Sequence, residues 1–386
     1  MKNIVLVGGG VTNCLLSILL KQYYKDNVDV LIIEKNDTLL KKLTITGNGK
    51  CNILNKNYID GLIIDNLDIK KSFESISYLD LKTFYDELGL IILEKGDLIY
   101  PFNESANQTR DYLVEIINRL GVKVYNNELF LSYKKHDNLY EIITSNSKIS
   151  ADLIVFSTGG KSYKVLGADD SVLKELVNHS YKISEFIPGL CAIKVKENVK
   201  RLDGTRVKAK VSVLNNDKIV FEESGEVLFK KDGLSGIVIF NTSLFIAKNF
   251  SDFKNLKISL NLIEDLDIEN IVKFEKYAGS AAFLNVITQK KVAEYINFNY
   301  KDQTNIVEIL KNLTFTPTDF YGFDNAQISV GGIKLDNLTN SLESRFENNI
   351  YFGGELLDIS GYCGGYNLSM CLASALIIFK NIIKED

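Results

Sequence analysis

The opening segment of the chain constrains its fold more than any other feature. Ile4–Val7 is a short apolar run that suits a buried parallel strand, and Gly8–Gly10 follows it directly. Cys14–Leu20 predicts the core-facing part of a helix, and Val28–Ile33 predicts a second buried strand. Strand, glycine turn, helix and strand in this order make the βαβ unit that binds dinucleotides. We therefore expect an α/β fold built on a parallel sheet.

The glycine turn itself indicates a phosphate site. Such a turn lets the backbone approach a pyrophosphate, whose charge is stabilised by free N–H groups at the start of the helix. Gly8 and Gly10 fill the first two positions of the GxGxxG pattern, whereas Asn13 stands at the third, where a small residue is usual. The alternative interpretation is a glycine turn that serves packing alone.

A carboxylate ends the second predicted strand. Glu34 lies where it can accept hydrogen bonds from both ribose hydroxyls of an adenosine. Its charge would repel a 2′-phosphate, so FAD or NAD is favoured over NADP. The alternative is a solvated charge at a strand end.

A seven-residue loop is unusually rich in glycine and polar side chains. Its glycines permit backbone conformations that expose amides, its lysine can meet a phosphate or a flavin carbonyl, and its last asparagine offers a donor and an acceptor. The alternative is a plain surface turn. The loop consists of Thr46, Gly47, Asn48, Gly49, Lys50, Cys51 and Asn52.

A second glycine block lies near the end of the sequence, in Gly353–Asp358 and Gly361–Asn367. It precedes a long apolar helix, whose positive end could face the pyrimidine ring of a flavin and stabilise the negative charge of the reduced ring. An NAD site would not require this block. Glu355 or Asp358 could hold ribityl hydroxyls. Three residues at the predicted flavin edge are candidates for the substrate pocket, and no catalytic residue is assigned beyond them: Tyr362, Cys363 and Tyr366.

Composition and hydropathy narrow the classes of function. The formal net charge of −4 gives no general attraction to polyanions, so we predict no nucleic-acid partner. No apolar stretch is long enough for a membrane span, and the opening apolar run is too short for a signal peptide. The cysteines form no CxxC pair, which is typical of a reducing cytosol, and we predict a cytoplasmic protein without a metal site.

The hydropathy pattern of the sequence changes after Pro188. Short alternating segments between Gly, Asn and Asp turns predict a mainly antiparallel region, and helical periodicity returns from Ile268 to about Leu313. We predict a discontinuous cofactor-binding domain of residues 1–187 and 327–386. Residues 188–262 and 314–326 are predicted to form a β-rich inserted domain, and residues 263–313 a helical subdomain.

The chain resembles the HI0933-like flavoproteins, a group also called BaiN-like or aminoacetone oxidase-like FAD-dependent oxidoreductases. The resemblance covers nearly the whole length. It is carried by Gly8–Gly10, Glu34–Lys35, Leu43–Asn55, Thr158–Ser162, Gly225–Phe229, Gly233–Gly236 and Tyr351–Asn367.

This resemblance implies a glutathione-reductase-like FAD-binding Rossmann domain, interrupted by a β-rich, barrel-like domain and a small helical one. The chain departs from the family pattern at Asn13, at Asn48 where glycine is common, and at Lys50 where arginine is common. It also departs from that pattern in the inserted domain, at Lys230–Lys231 and Ile237. The residues expected to bind FAD are Gly8, Gly9, Gly10, Glu34, Lys35, Thr46, Gly47, Asn48, Gly49, Lys50, Cys51, Asn52, Val124, Thr158, Gly159, Gly354, Glu355, Asp358, Gly364, Gly365, Tyr366 and Asn367.

The resulting hypothesis is an FAD-dependent oxidoreductase that moves a hydride between a small-molecule substrate and flavin N5. Its electron partner is NAD(P)H or oxygen, as in an amine-type oxidase, and its oligomeric state is open. One alternative is an NAD-linked dehydrogenase that uses only the Gly8–Gly10 unit. Another is a flavin-binding module without turnover that serves in sensing or associates with RNA, the latter through the basic spacing of residues 194–210. That spacing equally suits the solvated face of hairpin strands.

Overall fold

The computed structural model describes residues 2–137, 139–266, 269, 273, 280–300 and 305–384. Two compact units account for the chain. The first consists of Met1–Ile187 and Ile328–Asp386, and the second of Pro188–Gln327.

The first part of unit one alternates strands and helices, as its opening predicts. In chain order its elements are β1 (Lys2–Val7), α1 (Val11–Tyr24), β2 (Val28–Ile33), β3 (Leu54–Asn55), β4 (Leu62–Ile63), α2 (Leu67–Glu74), α3 (Tyr78–Glu87), β5 (Ile92–Lys95), β6 (Leu98–Pro101), α4 (Ala106–Arg119), β7 (Lys123–Tyr125), β8 (Phe130–His136), β9 (Leu139–Thr144), β10 (Lys148–Ala151), β11 (Leu153–Phe156), α5 (Ser171–Asn178) and β12 (Ile183–Gly189).

Unit two consists mainly of antiparallel strands, with helices between some of them in the sequence. Its elements are β13 (Ile193–Val195), β14 (Arg206–Asn215), β15 (Lys218–Lys230), β16 (Gly233–Ser235), α6 (Ile237–Asn249), β17 (Leu256–Asn261), α7 (Ser280–Ile287), α8 (Lys290–Asn299), α9 (Ile306–Lys311), β18 (Leu313–Phe315) and β19 (Pro317–Phe320). The chain then returns to unit one with β20 (Ile328–Ile333), β21 (Ile350–Phe352), β22 (Ser360–Gly361) and α10 (Tyr366–Ile382).

A five-stranded parallel sheet is the centre of unit one. Its order is β21-β11-β1-β2-β7. Each strand pairs in parallel with its neighbour, with Val5 of β1 opposite Leu31 of β2 on one side and Ile154 of β11 on the other. β11 and the last four residues of β1 are completely or almost completely buried, which explains their unbroken apolar sequence. This order is that of a Rossmann-type domain and confirms the predicted fold class.

Smaller antiparallel sheets surround the parallel one. β8, β9 and β10 form one sheet, β3, β6 and β5 form a second sheet, and β4 pairs with β22. The long helix α10 packs along α1 and over the segment Gly354–Leu356. The last strand and helix of the chain are therefore part of the same unit as the first.

Unit two contains a seven-stranded antiparallel sheet in the order β18-β17-β14-β15-β16-β13-β19. Its longest strand, β15, runs unbroken from Lys218 to Lys230 opposite β14. Helix α6 was not predicted, since its sequence is apolar nearly all round and lacks helical periodicity. The described residues of the predicted helical subdomain, 263–313, contain α7, α8 and α9, whereas residues 267–268, 270–272, 274–279 and 301–304 lie outside the described part.

Candidate functional site

The order of the parallel sheet changes direction at β1, which places a crevice at the carboxyl ends of β1 and β11. The chain leaves β1 towards β2 on one side, while β11 lies on the other side. Ligands of open α/β sheets bind in such crevices. Gly8 ends β1 with φ of +100°, and a Cβ there would lie 2.6 Å from the carbonyl oxygen of Ser157, just past β11. Glycine at position 8 therefore keeps the two strand ends in close contact.

The first helix offers unpaired backbone donors to this crevice. Its N-cap is Gly10, no side chain caps it, and no acidic residue occupies its first turn. By contrast α2, α3 and α4 are capped by the side chains of Asn66, Ser77 and Ser105. The first N–H groups of α1 and its positive dipole end are therefore suited to a phosphate.

Asn13 occupies the third position of the glycine motif, and its side chain forms hydrogen bonds to the neighbouring backbone. It is fully buried, and its side-chain amide donates at 2.9 Å to the carbonyl oxygens of both Val7 and Gly8. A weaker contact of 3.4 Å reaches the carbonyl of Val155 on β11. Asn13 thus ties the start of α1 to the strands at the position where glycine usually allows close packing.

Glu34 lies next to the glycine turn and is 8% exposed. Its Oε2 accepts a hydrogen bond of 2.7 Å from the N–H of Gly9, and its Oε1 accepts from the backbone and side-chain amides of Asn36 at 2.7 and 2.6 Å. The side chain of Asn36 also donates to the carbonyl of Leu166, in the loop after β11. These donors fix the carboxylate beside the turn, where an adenosine ribose would lie.

Lys35 and Val124 flank this position. Lys35 forms an ion pair with Asp169, and desolvation lowers its pKa although Glu34 acts in the opposite direction. Val124 lies on β7 opposite Ile32 of β2, so its backbone borders the same end of the sheet. Asp169 belongs to the loop that Asn36 also contacts, so two successive residues after β2 hold that loop.

The Thr46–Asn52 loop has the special backbone that its sequence predicts. Gly47, Asn48, Gly49 and Cys51 all have positive φ. The N–H groups of Lys50 and Cys51 turn inward, however, and donate to the carbonyls of Gly47 and Thr46. These two amides serve the loop itself, so the glycines here shape the loop.

The side chains of this loop point in different directions. Lys50 lies 3.3 Å from Glu104 in an exposed ion pair. With its amide oriented to suit its neighbours, Asn52 donates to the carbonyls of Leu54 and Ile99 at 3.0 Å each and accepts from the N–H of Gly365 at 3.2 Å. Asn52 therefore links the loop to the start of α10.

Cys51 is an inert thiol in this arrangement. It is completely buried, and desolvation raises its pKa to about 12 against the weaker effect of hydrogen bonds from Thr46 and Thr109. A buried protonated thiol is neither a nucleophile nor a redox group at neutral pH. None of the five cysteines forms a disulfide.

The turn after β21 reaches the same crevice. Gly354 has φ of +64°, and a Cβ there would lie 2.5 Å from Thr12 Oγ1 and 2.9 Å from Ser157 Oγ. The next residue, Glu355, accepts from Lys42 Nζ at 2.7 Å and from the N–H of Ser329 at 2.8 Å. The C-terminal glycine block, the start of α1 and the end of β11 therefore meet at one point.

Ser329 also holds the loop that follows β11. Ser329 is 1% exposed, and its hydroxyl accepts hydrogen bonds of 2.8 and 3.0 Å from the N–H groups of Lys161 and Ser162. The predicted residues Thr158 and Gly159 lie just before this anchor, and Gly159 has φ of +72° with open space where a side chain would lie. The backbone is thus accessible at Gly159.

Gly365 is the N-cap of α10, with φ of +84°, and no side chain caps this helix either. A Cβ at Gly365 would lie 2.6 Å from the carbonyl of Leu54. Asn367 binds the peptide of Gly361, accepting from its N–H and donating to its carbonyl, each at 2.8 Å. Asn367 therefore closes the Gly361–Asn367 loop at the start of α10.

Other predicted residues of the C-terminal block have partners within unit one. Asp358 accepts from Ser184 Oγ at 2.6 Å, and Gly364 accepts from the side-chain amide of Asn55 at 2.7 Å. The ring of Tyr366 covers Gly61, since a Cβ there would lie 2.2 Å from the ring. Tyr362, Cys363 and Tyr366 are half-buried, and the backbone N–H of Tyr362 donates to Gly61.

Sequence reasoning missed three residues of this site, Lys42, Asn36 and Ser329. Lys42 and Asn36 lie close in sequence to the predicted segments but outside any glycine pattern. Ser329 lies in an apolar strand that gives no local signal. Each acts through partners distant in the chain, such as Glu355, which is 313 residues from Lys42.

The residues present fit a flavin dinucleotide. Two uncapped helix starts, α1 and α10, lie in one unit with a carboxylate for a ribose, and backbones meet at Gly8, Gly354 and Gly365 without room for side chains. Among the described residues, no group of three or more His, Cys, Asp or Glu could hold a metal ion. Nor is any described helix long and apolar enough to cross a membrane. Fold and site define a protein with a Rossmann-type FAD-binding domain.

The comparison with known sequences identifies the group within that class. The model of the HI0933-like protein Rossmann domain matches residues 2–381. The chain belongs to the HI0933-like family, as the sequence predicted, and is an FAD-dependent oxidoreductase with FAD as its cofactor.

Two curated relatives match over nearly their full lengths. A 3-dehydro-bile acid delta(4,6)-reductase of Clostridium scindens is 28% identical and covers 98% of this chain and 98% of the relative. A ribosomal RNA dihydrouridine synthase of Escherichia coli is 24% identical, with 98% and 97% covered. The solved 3-ketosteroid-delta4-(5alpha)-dehydrogenase of Rhodococcus jostii is similar in fold, with a TM-score of 0.51, 11% identity and coverage of 98% of this chain and 96% of that one.

Proposed function

We propose that this oxidoreductase transfers a hydride between N5 of the flavin and a small-molecule substrate. The observation that carries the proposal is that two helices of one unit begin at an uncapped glycine, Gly10 and Gly365, and that Glu34 lies beside the first. FAD, when bound, supplies the hydride chemistry itself, so the protein has to position the substrate and exclude competing reactions. An NAD site would account for α1 and Glu34 but not for α10.

Each segment has a part in holding the cofactor. The N–H groups at the start of α1 and the turn Gly8–Gly10 would bind the pyrophosphate, and Glu34 would accept from the adenosine ribose. The start of α10 would stabilise negative charge on the pyrimidine ring. Lys35, Val124, Thr158, Gly159 and the turn at Gly354 would border the adenosine and pyrophosphate, and the Thr46–Asn52 loop and residues 364–367 the flavin end.

We infer further that the reaction is the reduction of a carbon–carbon double bond conjugated to a carbonyl. The names of both curated relatives describe such reductions, one of a 3-dehydro-bile acid and one of uridine in RNA. This reduction adds a hydride to one carbon and a proton to its neighbour. Tyr362 and Tyr366, at the presumed flavin edge, are the candidate proton donors, and NADH or NADPH is the proposed source of the hydride.

A small molecule is favoured over RNA as the substrate by the charges on β14. Its basic face is matched by carboxylates, with Arg206 paired to Glu226, and Lys210 lying 3.2 Å from Glu222 and 3.9 Å from Glu264. An RNA-binding surface needs unmatched positive charge. We also propose a cytoplasmic location, which is supported by five cysteines that form no disulfide.

An anaerobic titration tests the proposal. The purified protein, reconstituted with FAD if necessary, should show flavin absorption bands that bleach on addition of NADH or NADPH. Adding a steroid with a 3-oxo-4,6-diene system should then restore the oxidised spectrum, whereas its saturated analogue, the matched control, should not. An absence of flavin bands after reconstitution would refute FAD binding.

A second measurement separates the two substrate classes. Single turnover is compared for the conjugated steroid and for a uridine-containing ribosomal RNA fragment, at low and at moderate salt. Reoxidation by the RNA alone, with a strong salt dependence, would refute the small-molecule proposal. Bleaching that is reversed only by oxygen would refute the reductase direction.

A further inference from the structure

An ion pair joins the two halves of the cofactor site. Lys42 lies in the segment before the Thr46–Asn52 loop, and its Nζ contacts both carboxylate oxygens of Glu355, at 3.1 and 2.7 Å. The lysine side chain is 32% exposed and the glutamate side chain 19%. The pair is thus half-buried and bridges the N-terminal and C-terminal glycine segments.

Ser329 extends this bridge to the loop after β11. Its N–H donates to Glu355 Oε1 at 2.8 Å, while its hydroxyl accepts from Lys161 and Ser162. Glu355 directly follows Gly354, whose backbone lies against Thr12 and Ser157 at the crevice. One carboxylate therefore connects three segments that we assign to the cofactor.

The sign of this carboxylate is unfavourable for its surroundings. A pyrophosphate is anionic, and a flavin gains negative charge when it is reduced. An uncompensated carboxylate nearby would therefore weaken the binding of the pyrophosphate and destabilise the reduced flavin. The ammonium group of Lys42 offsets that charge at 2.7 Å. The C-terminal segment can thus use a carboxylate to anchor Ser329 without repelling the cofactor.

We propose that Lys42 is a positioning residue that neutralises Glu355, and that the Lys42–Glu355–Ser329 bridge sets both the affinity for FAD and the potential of the bound flavin. This inference rests on the proposed FAD site and assigns a role within it to residues outside the glycine motifs. Lys42 acts through Glu355 and not by direct contact with the cofactor.

The test is a double-mutant cycle on the apoprotein and the FAD-loaded protein. FAD affinity is measured by fluorescence quenching on reconstitution, and the flavin potential by equilibration with a reference dye. Lys42→Met should lower the affinity for FAD about tenfold and lower the potential, because it leaves the Glu355 charge unmatched. Lys42→Arg keeps the positive charge, so its affinity for FAD and its flavin potential should stay close to those of the wild type. Glu355→Gln keeps an oxygen for the Ser329 N–H and adds no unmatched negative charge, so it should lower the affinity less than Lys42→Met does.

The decisive variant is Lys42→Met combined with Glu355→Gln. Removing both charges should recover most of the affinity and the potential that Lys42→Met loses. Lys41→Met is the matched control, since Lys41 pairs with exposed Asp37, and it should behave as the wild type. Circular dichroism of each apoprotein verifies folding.

Three results would overturn the proposal. A double variant as weak in FAD binding as Lys42→Met would mean that Lys42 contacts the cofactor directly. Unchanged affinity and potential in Lys42→Met would mean that the pair is structural only. A wild-type protein that takes up no FAD would refute the proposed function itself, which separates that failure from the other two.

Discussion

The side-chain amide of Asn13 donates a hydrogen bond of 2.9 Å to the carbonyl oxygen of Gly8, which joins the third position of the dinucleotide motif to its first. A glycine at position 13 would allow closer packing but could not make this bond. The family departure at Asn13 is therefore compensated by hydrogen bonding within the turn. The shape of the turn depends on this amide.

Replacing Asn13 with Ala should lower the free energy of unfolding of the apoprotein by about 1–3 kcal/mol, because the carbonyls of Val7 and Gly8 each lose one donor. Urea denaturation measures this loss. Ser17→Ala is the control, since Ser17 is equally buried on the same helix but bonds only to Cys14 within it, and it should cost less. Equal losses in both variants would mean that Asn13 does not hold the turn.

Replacing Gly354 with Ala should reduce FAD affinity at least tenfold, because the new Cβ would lie 2.5 Å from Thr12 Oγ1 and displace the turn from α1. Gly96 has nearly the same φ, +65°, with nothing within 4 Å of a Cβ, and lies in the β5–β6 turn. Gly96→Ala should therefore show the backbone strain alone, about 1 kcal/mol in stability, with FAD binding unchanged. Comparable FAD binding in the two variants would contradict a close-packed cradle.

Replacing Glu34 with Gln should weaken FAD binding about tenfold, because one of two acceptors for the ribose hydroxyls is lost. Asp29 is the matched control on the same strand, since it pairs with Lys123 at the far end of β2. Reconstitution titrations should show no change for Asp29→Asn. If both variants bind FAD as the wild type does, the adenosine does not lie at Glu34.

The stability of the apoprotein should fall as the pH rises above about 9. Burial raises the pKa of Cys51 to about 12 and that of Cys371 to about 11, from an ordinary value of 9.0. Between these values the unfolded chain releases protons that the folded chain retains, so alkali favours unfolding, while the contribution is constant below the ordinary value. Urea denaturation under reducing conditions, at pH 7 and at about pH 10, measures the fall.

Cys51→Ser should reduce this decline, whereas Cys363→Ser, at a half-buried position, is the control. An equal decline in the two variants would mean that Cys51 is accessible to solvent. The flavin spectrum and turnover of Cys51→Ser should match the wild type, since the protonated thiol has no redox role.

Local patterns were sufficient for the parallel sheet, the glycine turn and the start of α10. Val28–Ile33 coincides with β2, and the apolar helix predicted at the second glycine block begins at Tyr366. These elements are specified by apolar periodicity and by glycine, which act over a few residues. The inward amides of Lys50 and Cys51 were not predictable, because the same glycines suit an open loop.

Contacts distant in sequence were beyond such reasoning. The Lys42–Glu355 pair and the role of Ser329 depend on which segments the sheet order brings together, and neither leaves a periodic trace. In the sequence Asn13 is only a departure from the glycine motif, because the partners of its side chain are backbone carbonyls, which every residue has. Side-chain composition alone could not indicate which carbonyls would need a donor.

The pairing of Ile154 with Ile350 in β11 and β21 has a consequence for biosynthesis. The two residues are separated by roughly 200 positions, so the outer strand of the sheet can join only late in translation, after the whole intervening region has left the ribosome. The start of α10 emerges later still. A nascent chain released before that point would carry the glycine turn of the first strand but no complete flavin pocket, and uptake of FAD would report that synthesis had passed Gly365.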